Sequence, residues 1–561
     1  MRNEETKKNM MWLVTFAMII TMTTTQCSPQ TQITTSEVQP IQPTITTPTD
    51  TAPAPSAPTE KPTETAPAIS KKNIFIHTSP DEFPDLDPTR SYSSESYVLS
   101  NCYETLIFYN PPGSKELLSG KLATSWETNA DATEWTFHLR QGVKFQDGEP
   151  FNAAAVKYSI MKTKELGLGA AYMWDPVQDI QTPDDYTVVF KLSYSAPLDM
   201  IASSGYGAWI FSPKLFTDHP TDWVNEGHCI GTGPYTIESY ERGSRLVMTR
   251  FNDYWGGWKP GQFEKIVFDI TGDTVVRQQK IETGEADFTF RLPPDNIPQL
   301  ESNPDVIVFR GPSFNIALGM LNTQKPPLDN KLIREAVAYT FPVDQFIQNV
   351  MFGRASKSFG FIPLGVWGHS ETVPQFSYDL DKAKQLLAQA GFPNGGFKLL
   401  YIVCTGDSEG TQLGELWKAE LAKVGITLEV QVLNWEVHWN TCKSGPTNAQ
   451  DIFLMHWWPD YISPMGYLNG LFHSEDQPYF NCSYWYNADF DKLIDDANAT
   501  SGYDLQKAAG MFIEAQKMLI DNAVAIPFYD ETNVHIMQSD IKGYVDNPAY
   551  YNVVFVYDLT R

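Results

Sequence analysis

Short apolar runs recur along the chain from about residue 72 to the C-terminus, and most of them alternate with polar residues. They are rich in Val, Ile, Phe and Tyr, and this composition with a period of two favours β-strands. The predicted strands are residues 72–78, 135–139, 186–192, 245–250, 265–270, 314–322, 398–404, 427–433 and 451–456.

Two longer segments repeat their apolar residues at helical spacing. Residues 379–391 place them on one face and end at Gly391, and residues 411–425 do the same and end at Gly425. Glycine at this position is a common C-terminal cap of a helix. Shorter helices are predicted at 332–340 and 490–497. Strands and helices alternate throughout, so the pattern predicts a mixed α/β protein with several domains.

The N-terminus carries a different pattern. Arg2, Lys7 and Lys8 precede an apolar run of 13 residues, 10–22, which is too short to cross a bilayer as a helix. A basic segment followed by a short apolar run is typical of a secretory signal. The segment ends at Cys27 and resembles a bacterial lipoprotein signal, in which the cysteine becomes the lipidated first residue. We therefore expect residues 1–27 to be a signal and Cys27 to be a lipid anchor.

Residues 28–71 are rich in Thr and Pro and contain no aromatic residue. Such a segment cannot bury enough apolar surface to offset the entropy lost on ordering, so it is predicted to be a disordered tether. No later stretch approaches the length of a membrane-spanning helix. The expected arrangement is an extracytoplasmic globular body that is attached to the cell membrane only through its lipid.

The chain of 561 residues has a net charge of −26. This charge opposes contact with phosphate backbones and with anionic membrane surfaces, so nucleic acid is excluded as a partner. Aromatic residues reach 13%, enough to line a binding pocket as well as a core. No Cys or His spacing typical of a zinc site is present, and neither a metal nor a cofactor is expected.

Export permits disulfides. Cys442 with Cys482 is the preferred pair, because the segments that flank both residues are polar and loop-like. Cys102 with Cys229 is a second, weaker pairing.

A series of motifs carries more specific information. Residues 139–153 read LRQGVKFQDGEPFNA, residues 231–235 read GTGPY and residues 252–255 read NDYW. Further motifs follow at 284–287, 321–329, 334–339, 381–387 and 421–426. In order and spacing they resemble the solute-binding lipoproteins of peptide/nickel-type ABC importers, the bacterial extracellular solute-binding family 5. The glycines and prolines in these motifs are turn residues, so the motifs identify a fold and do not bind the cargo.

The resemblance implies a periplasmic-binding-protein-like α/β fold with two lobes and hinge crossovers. Lobe I would comprise residues 72–310 and 536–561, with an inserted subdomain at 113–230, and lobe II would comprise residues 311–535. A monomer of this kind captures a solute between its lobes and delivers it to ABC permease subunits with their ATPases. It performs no bond chemistry itself.

The resemblance also points to one ligand-binding loop. Trp457 and Trp458 are followed by Asp460, and in peptide-binding members an aspartate in this place pairs with the α-ammonium of the peptide. A desolvated carboxylate suits that role, since peptides differ in side chain but share the terminus. Further candidates for the cleft are the aromatic residues Tyr461, Trp435, Phe83, Trp174, Tyr206 and Trp209.

Two alternatives stay open at this point. Trp-rich members of the same family bind oligosaccharides, and other members take nickel complexes, opines or other small solutes. An enzyme is the second alternative, because residues 406–410 read GDSEG and fit the GxSxG pattern of a serine hydrolase. Ser408 would be the nucleophile, with His473 or His535 as its base, although no HGGG-type oxyanion segment accompanies it.

Overall fold

The computed structural model describes residues 73–475 and 480–561. The predicted signal, the Cys27 anchor and the tether at 28–71 lie outside the described residues. Within the described part of the chain, no helix combines the length and the apolar character needed to cross a bilayer.

The strands are β1 Ile74–Ser79, β2 Ile107–Tyr109, β3 Leu118–Gly120, β4 Ala123–Thr128, β5 Glu134–Leu139, β6 Val177–Asp184, β7 Thr187–Leu192, β8 Tyr235–Glu241, β9 Arg245–Arg250, β10 Lys265–Ile270, β11 Phe288–Phe290, β12 Val306–Leu321, β13 Ala355–Ser356, β14 Lys398–Cys404, β15 Thr427–Leu433, β16 Ile452–Trp457 and β17 Ala525–Gln538. The α-helices are α1 Ser96–Cys102, α2 Ala153–Leu166, α3 Leu198–Ile201, α4 Lys214–Thr217, α5 Thr274–Glu282, α6 Ile297–Glu301, α7 Lys331–Ala338, α8 Val343–Asn349, α9 Leu380–Gln389, α10 Ser408–Ala422, α11 Trp435–Cys442, α12 Pro464–Phe472, α13 Ala488–Ser501 and α14 Leu505–Asp521. Short 3₁₀ segments lie at Ala171–Trp174, Thr221–Glu226, Pro294–Asn296 and Val556–Asp558.

Across the described residues, a sheet of 11 strands runs in the order β15–β14–β16–β12–β17–β11–β1–β10–β9–β8, with β13 against β17. Its centre is the antiparallel pair β12 and β17, of 16 and 14 residues. One group of strands extends from β12 through β16, and the other extends from β17 through β11. The pairing of β12 with β17 shifts register between Pro312 and Ile316, where Phe314 has a φ of 60°.

A second, four-stranded antiparallel sheet, β4–β5–β7–β6, lies within residues 123–192. Strand β5 buries Trp135, Phe137 and Leu139 on one face, as its alternating sequence predicts. Helix α2 follows; the Asn152 side chain caps its N-terminus and Gly167, in the left-handed conformation, ends it. This sheet and helix fall inside the segment predicted as an inserted subdomain.

Local sequence patterns predicted many elements closely. Strands β9, β10, β14 and β15 have the bounds that the sequence indicated. Helix α10 begins three residues earlier than predicted, at Ser408, because Asp407 caps it by accepting a hydrogen bond from the Gly410 amide. Helix α14 and strand β17 were not predicted.

Cys442 and Cys482 form a disulfide, with their Cα atoms 5.6 Å apart. The second pairing is wrong in this structure, since Cys102 and Cys229 are buried free thiols. The Cys229 thiol hydrogen-bonds with the Cys102 thiol and also donates to the Gln146 amide oxygen at 3.5 Å.

One buried histidine in β1 has an unusual environment. His77 is 1% exposed, and its ring packs against Phe268 and Phe288 at centroid distances of 5.1 and 4.8 Å. Neither ring nitrogen has a hydrogen-bond partner among the described residues. Burial, followed by the nearby His535, lowers the pKa of His77 to about 3. His77 is therefore neutral in the folded protein at pH 5, whereas an unfolded chain would protonate it near pH 6.5.

Replacing His77 should change how stability depends on pH. Because the folded-state pKa is depressed, the parent protein loses stability as pH falls below 6.5, by about 2 kcal/mol between pH 7 and 5 from this residue. The variant His77→Phe lacks this titration, so its free energy of unfolding should fall less over the same range. Urea unfolding at both pH values measures the difference. An equal loss in parent and variant would contradict the assignment.

Candidate functional site

An open cleft with a volume of about 1020 Å³ lies between residues from both groups of sheet strands and their loops. One wall includes Asp81, Tyr92 and Arg291, which belong to the part of the chain around β1 and β11. The other wall includes His456 and Asp460, from β16 and the loop that follows it. The cleft thus contains the predicted ligand loop together with charged groups distant in sequence.

The loop after β16 is held in place by its own hydrogen bonds. The Trp457 indole donates to the Gly466 carbonyl at 2.8 Å. Ser463 caps α12 by accepting from the Met465 amide, and Pro464 occupies the first turn of that helix. These contacts fix both ends of the loop that presents Asp460.

Asp460 is half-buried and accepts a hydrogen bond from the Tyr92 hydroxyl through its carboxylate. Its main-chain oxygen accepts from the Ser204 hydroxyl at 2.6 Å. Burial raises the pKa of Asp460 to about 6, and the Tyr92 hydrogen bond only partly offsets this effect. No ion pair within the described residues involves Asp460. A desolvated carboxylate without a cationic partner is suited to bind a cationic group of a ligand.

Aromatic rings form a continuous arc beside Asp460. The ring of Tyr206 lies 5.4 Å from that of Tyr92 and 5.4 Å from that of Trp458. Trp458 in turn lies 5.3 Å from Tyr551. Trp435, which is 51% exposed, stacks on Trp439 at 5.4 Å and also lines the cleft. These rings give the cleft an apolar wall beside its charged groups.

His456 lies between two carboxylates. Its Nδ1 is 3.0 Å from Glu531 Oε1, and its Nε2 is 3.0 Å from Asp407 Oδ2. Burial opposes the charged ring, but the hydrogen bonds and charges of Asp407 and Glu531 outweigh it and raise the pKa of His456 to about 10. Both nitrogens donate, so the ring is an imidazolium at neutral pH. Across 73–475 and 480–561, no cluster of His, Cys, Asp and Glu has an arrangement that could hold a metal ion.

Arg291 lies on the opposite wall. Its Nη1 is 3.1 and 3.2 Å from the two carboxylate oxygens of Asp81, and Tyr97 donates to Asp81 at 3.2 Å. The guanidinium carbon lies 5.7 Å from the centre of the Tyr551 ring. The cleft therefore carries a cation on one wall and a desolvated carboxylate on the other.

Residues 118–479 match the family described as bacterial extracellular solute-binding proteins, family 5. The chain belongs to this family. A probable D,D-dipeptide-binding periplasmic protein of Escherichia coli (strain K12) is 27% identical over 501 residues, covering 88% of this chain and 95% of its own length. The dipeptide-binding protein of the same strain is 29% identical over 518 residues, covering 86% and 94%.

The fold is also similar to that of solved family structures. The periplasmic binding protein DppA from Helicobacter pylori, in complex with the peptide STSA, matches with a TM-score of 0.70 and 25% identity. The match covers 87% of this chain and 99% of that protein. The periplasmic-binding-protein-like α/β fold predicted for this family 5 protein is thereby confirmed.

The aromatic residues predicted to line the ligand cleft do not all lie in it. Trp457, Trp458, Trp435 and Tyr206 line the cleft with Asp460, whereas Tyr461 lines a neighbouring cavity of about 1210 Å³.

Three candidates are not in the cleft. Phe83 is fully buried, with its ring 5.6 Å from Phe268. Trp174 is buried with its indole donating to the Gly207 carbonyl at 2.8 Å, and Trp209 lines a separate pocket of about 460 Å³ that is partly open to solvent. Packing in the core explains the positions of Phe83 and Trp174.

The structure does not bring the residues of the serine-hydrolase alternative together. The Ser408 hydroxyl donates to Glu409 at 2.6 Å. His473 faces Asp491 and Asp495 instead of Ser408. His535 is buried and bonds to Tyr544 and Asn552. Neither proposed base contacts the proposed nucleophile, and this family consists of substrate-binding proteins.

Sequence reasoning missed Arg291, Asp81, Tyr92 and His456. His456 directly precedes the Trp457 and Asp460 positions of the predicted ligand loop, but its carboxylate partners are distant in sequence: Asp407 caps α10 and Glu531 lies in β17. Arg291 directly follows the apolar residues of β11, and a lone arginine after a buried strand is the one local signal that could have drawn attention to it.

His456 should remain protonated well above the usual range for histidine. Its folded-state pKa is raised, so the stability it contributes is present below pH 6.5 and is lost as pH rises towards 10. Nitrogen NMR of ¹⁵N-histidine-labelled protein at pH 8 should show one ring with both nitrogens protonated, and this signal should disappear in His456→Gln. A neutral ring at pH 8 would contradict the imidazolium assignment.

Proposed function

We propose that this family 5 protein is the extracytoplasmic peptide-binding component of an ABC importer. The observation that carries the proposal is Asp460, a desolvated carboxylate beside aromatic rings that forms no ion pair with another described residue. The α-ammonium group is common to all peptides with a free amino terminus and satisfies such a carboxylate. Binding there recognises peptides as a class, while the aromatic wall accommodates different side chains.

The descriptions of the relatives favour peptide over sugar as the ligand. Two E. coli relatives are described as dipeptide-binding or D,D-dipeptide-binding, and the Helicobacter pylori structure holds the peptide STSA. A neutral oligosaccharide would leave Asp460 without a cationic partner, at the cost of an unpaired buried charge. The oligosaccharide alternative is therefore not favoured.

Lobe closure is the proposed mechanism of capture. Lobe I would comprise residues 72–310 and 536–561 with the subdomain 113–230, and lobe II residues 311–535, with β12 and β17 as crossovers. The two proposed lobes meet beside the ligand loop, where Ser204 donates to the Asp460 main-chain oxygen and Tyr206 packs on Trp458. A ligand that touches both walls binds the closed form more tightly and so drives closure.

The closed monomer docks on ABC permease subunits, and the partner ATPases hydrolyse ATP. The protein itself needs no cofactor. A lipid on Cys27 and the tether at 28–71 would keep it at the outer face of the cell membrane. The relative described as periplasmic supports the extracytoplasmic location.

Replacing Asp460 tests the function directly. The variant Asp460→Asn should bind a tripeptide with a free amino terminus roughly 10- to 100-fold more weakly, because the charge-assisted hydrogen bond to the ammonium is lost. Calorimetric titration measures the affinity. Asp344→Asn, an exposed aspartate in α8, is the matched control and should leave affinity unchanged. Unchanged affinity in Asp460→Asn would contradict the proposed pairing of Asp460 with the ammonium group of the peptide.

Peptide affinity should also fall on acidification. Asp460 must be ionised to pair with an ammonium, and its pKa is raised to about 6 by burial, so affinity should drop about tenfold between pH 7 and 5. Arg291 and His456 keep their charge in this range, because both have raised pKa values. Titrations at pH 5, 6 and 7 should show the drop in the parent protein and little change in Asp460→Asn. A similar slope in both would contradict the assignment.

A further inference from the structure

We propose that the cavity beside Tyr461 is a second ligand site, which takes a small organic cation with an apolar chain. This cavity has a volume of about 1210 Å³ and, among the described residues, shares none of its lining with the cleft that contains Asp460. The effect of the cation on peptide capture rests on the proposed function, whereas binding of the cation itself does not.

The cavity lies between two parts of the chain that are distant in sequence. One wall comes from residues 172–201, within the segment predicted as the inserted subdomain. The other wall comes from helices α12 and α13 and from Tyr461 of the ligand loop. The two parts meet just after α13, where a Cβ atom added to Gly502 would lie 2.4 Å from the Cβ of Ala132 in the subdomain. Concave junctions of this kind are common ligand sites.

Aromatic and sulfur-containing side chains provide the apolar part of the cavity. Tyr172 and Tyr194 are 53% and 52% exposed, and Tyr461 adds a third ring. Met173 and Met465 complete this part of the lining. Aromatic rings attract alkylammonium groups, and exposed aromatic side chains gathered around a cavity are typical of a binding site.

The charge of the cavity is negative. Asp175 lines one wall and Asp495 lines the other, and no Lys, Arg or His is among the described residues of the lining. Burial, followed by the charges of these two aspartates, raises the pKa of Tyr194. Both carboxylates therefore act on the same tyrosine, and the cavity favours a positively charged ligand.

Neither carboxylate has a Lys or Arg partner in the described part of the chain. Lys164 lies close to Asp175, but its ammonium donates to main-chain oxygens, including that of Asp175 at 3.4 Å. Asp495 is 59% exposed and lies 3.7 Å from His473 Nε2. The side-chain oxygen of Asn498, which also lines the cavity, is buried and has no hydrogen-bond partner among the described residues. Amide and carboxylate oxygens both accept hydrogen bonds from an ammonium group.

A linear diamine has the chemistry that these groups recognise. Its ammonium groups would pair with Asp175 and Asp495, and its methylene chain would pack on the tyrosine and methionine side chains. Such a ligand contacts both proposed lobes, so it would bind the closed form more tightly and favour closure. By linkage, the cation and the peptide would raise each other's affinity by the same factor.

Calorimetric titration with cadaverine (1,5-diaminopentane) tests the site, with 1,5-pentanediol as the uncharged counterpart. The parent should bind cadaverine at least about tenfold more tightly than the diol. A variant with both Asp175→Asn and Asp495→Asn should lose this preference. Asp496→Asn is the matched control, since Asp496 pairs with Lys492 outside the cavity and should bind cadaverine as the parent does. Asp460→Asn should also retain cadaverine binding, because Asp460 lies in the other cleft.

The effect on peptide capture is measured with the tripeptide trialanine. Its affinity for the parent should rise about fivefold in saturating cadaverine and should not change in the double variant. Trialanine binding by the double variant alone shows that this variant is folded. Unchanged trialanine affinity in the parent overturns the coupling.

The outcomes separate this inference from the proposed function. Equal binding of cadaverine and the diol by the parent overturns the second site and leaves peptide binding intact. Loss of cadaverine binding in Asp460→Asn, or its displacement by trialanine, also overturns the site, because the cation would then occupy the cleft. Displacement by Ala-Lys-Ala but not by trialanine overturns a free cation as the ligand and assigns the cavity to a basic peptide side chain. Failure of the parent to bind any peptide overturns the proposed function and the coupling, while cadaverine binding still supports the site.

Discussion

The antiparallel pairing of β12 with β17 positions nearly every charged group in the cleft. Strand β16 pairs with β12 on one side, which places His456 opposite Ala317, and β11 pairs with β17 on the other side. The walls that carry Asp460 and Arg291 are thus both built outward from one pair of strands. A change in register there would move the two walls relative to each other.

The irregularity in that pair has a chemical role. Between the pairs Pro312–Thr532 and Ile316–Asp530, β12 contains additional residues opposite Glu531. Ser313 donates to the Glu531 carbonyl at 2.9 Å, and Asn315 donates to its carboxylate at 3.1 Å. Bulges of this kind redirect a side chain, and here the Glu531 carboxylate reaches His456. The same part of the interior therefore keeps the His456 ring positively charged. A few residues further along the chain, burial raises the pKa of the Asp460 carboxyl.

The features that could be predicted from the sequence are those that depend on short-range patterns of residues. Alternating residues defined β9, β10, β14 and β15, and the ordered motifs identified the family and the loop of Asp460. The partners of His456 could not be predicted, because Asp407 and Glu531 approach it only through strand register. Nor does residue type decide which aromatic faces a ligand: Trp174 and Trp458 look alike in sequence, yet one is in the core and the other lines the cleft. The left-handed backbone of Arg291, with a φ of 52°, has no local sequence signal such as glycine.

The hydrogen bond from Tyr92 to Asp460 bears on the rate at which a binding protein releases its ligand. Under the proposed function, an arriving ammonium would not meet a bare carboxylate, because Tyr92 already donates to it. As the ammonium left, the phenol would return to the carboxylate. Release would then exchange one partner of Asp460 for another instead of simply separating two charges.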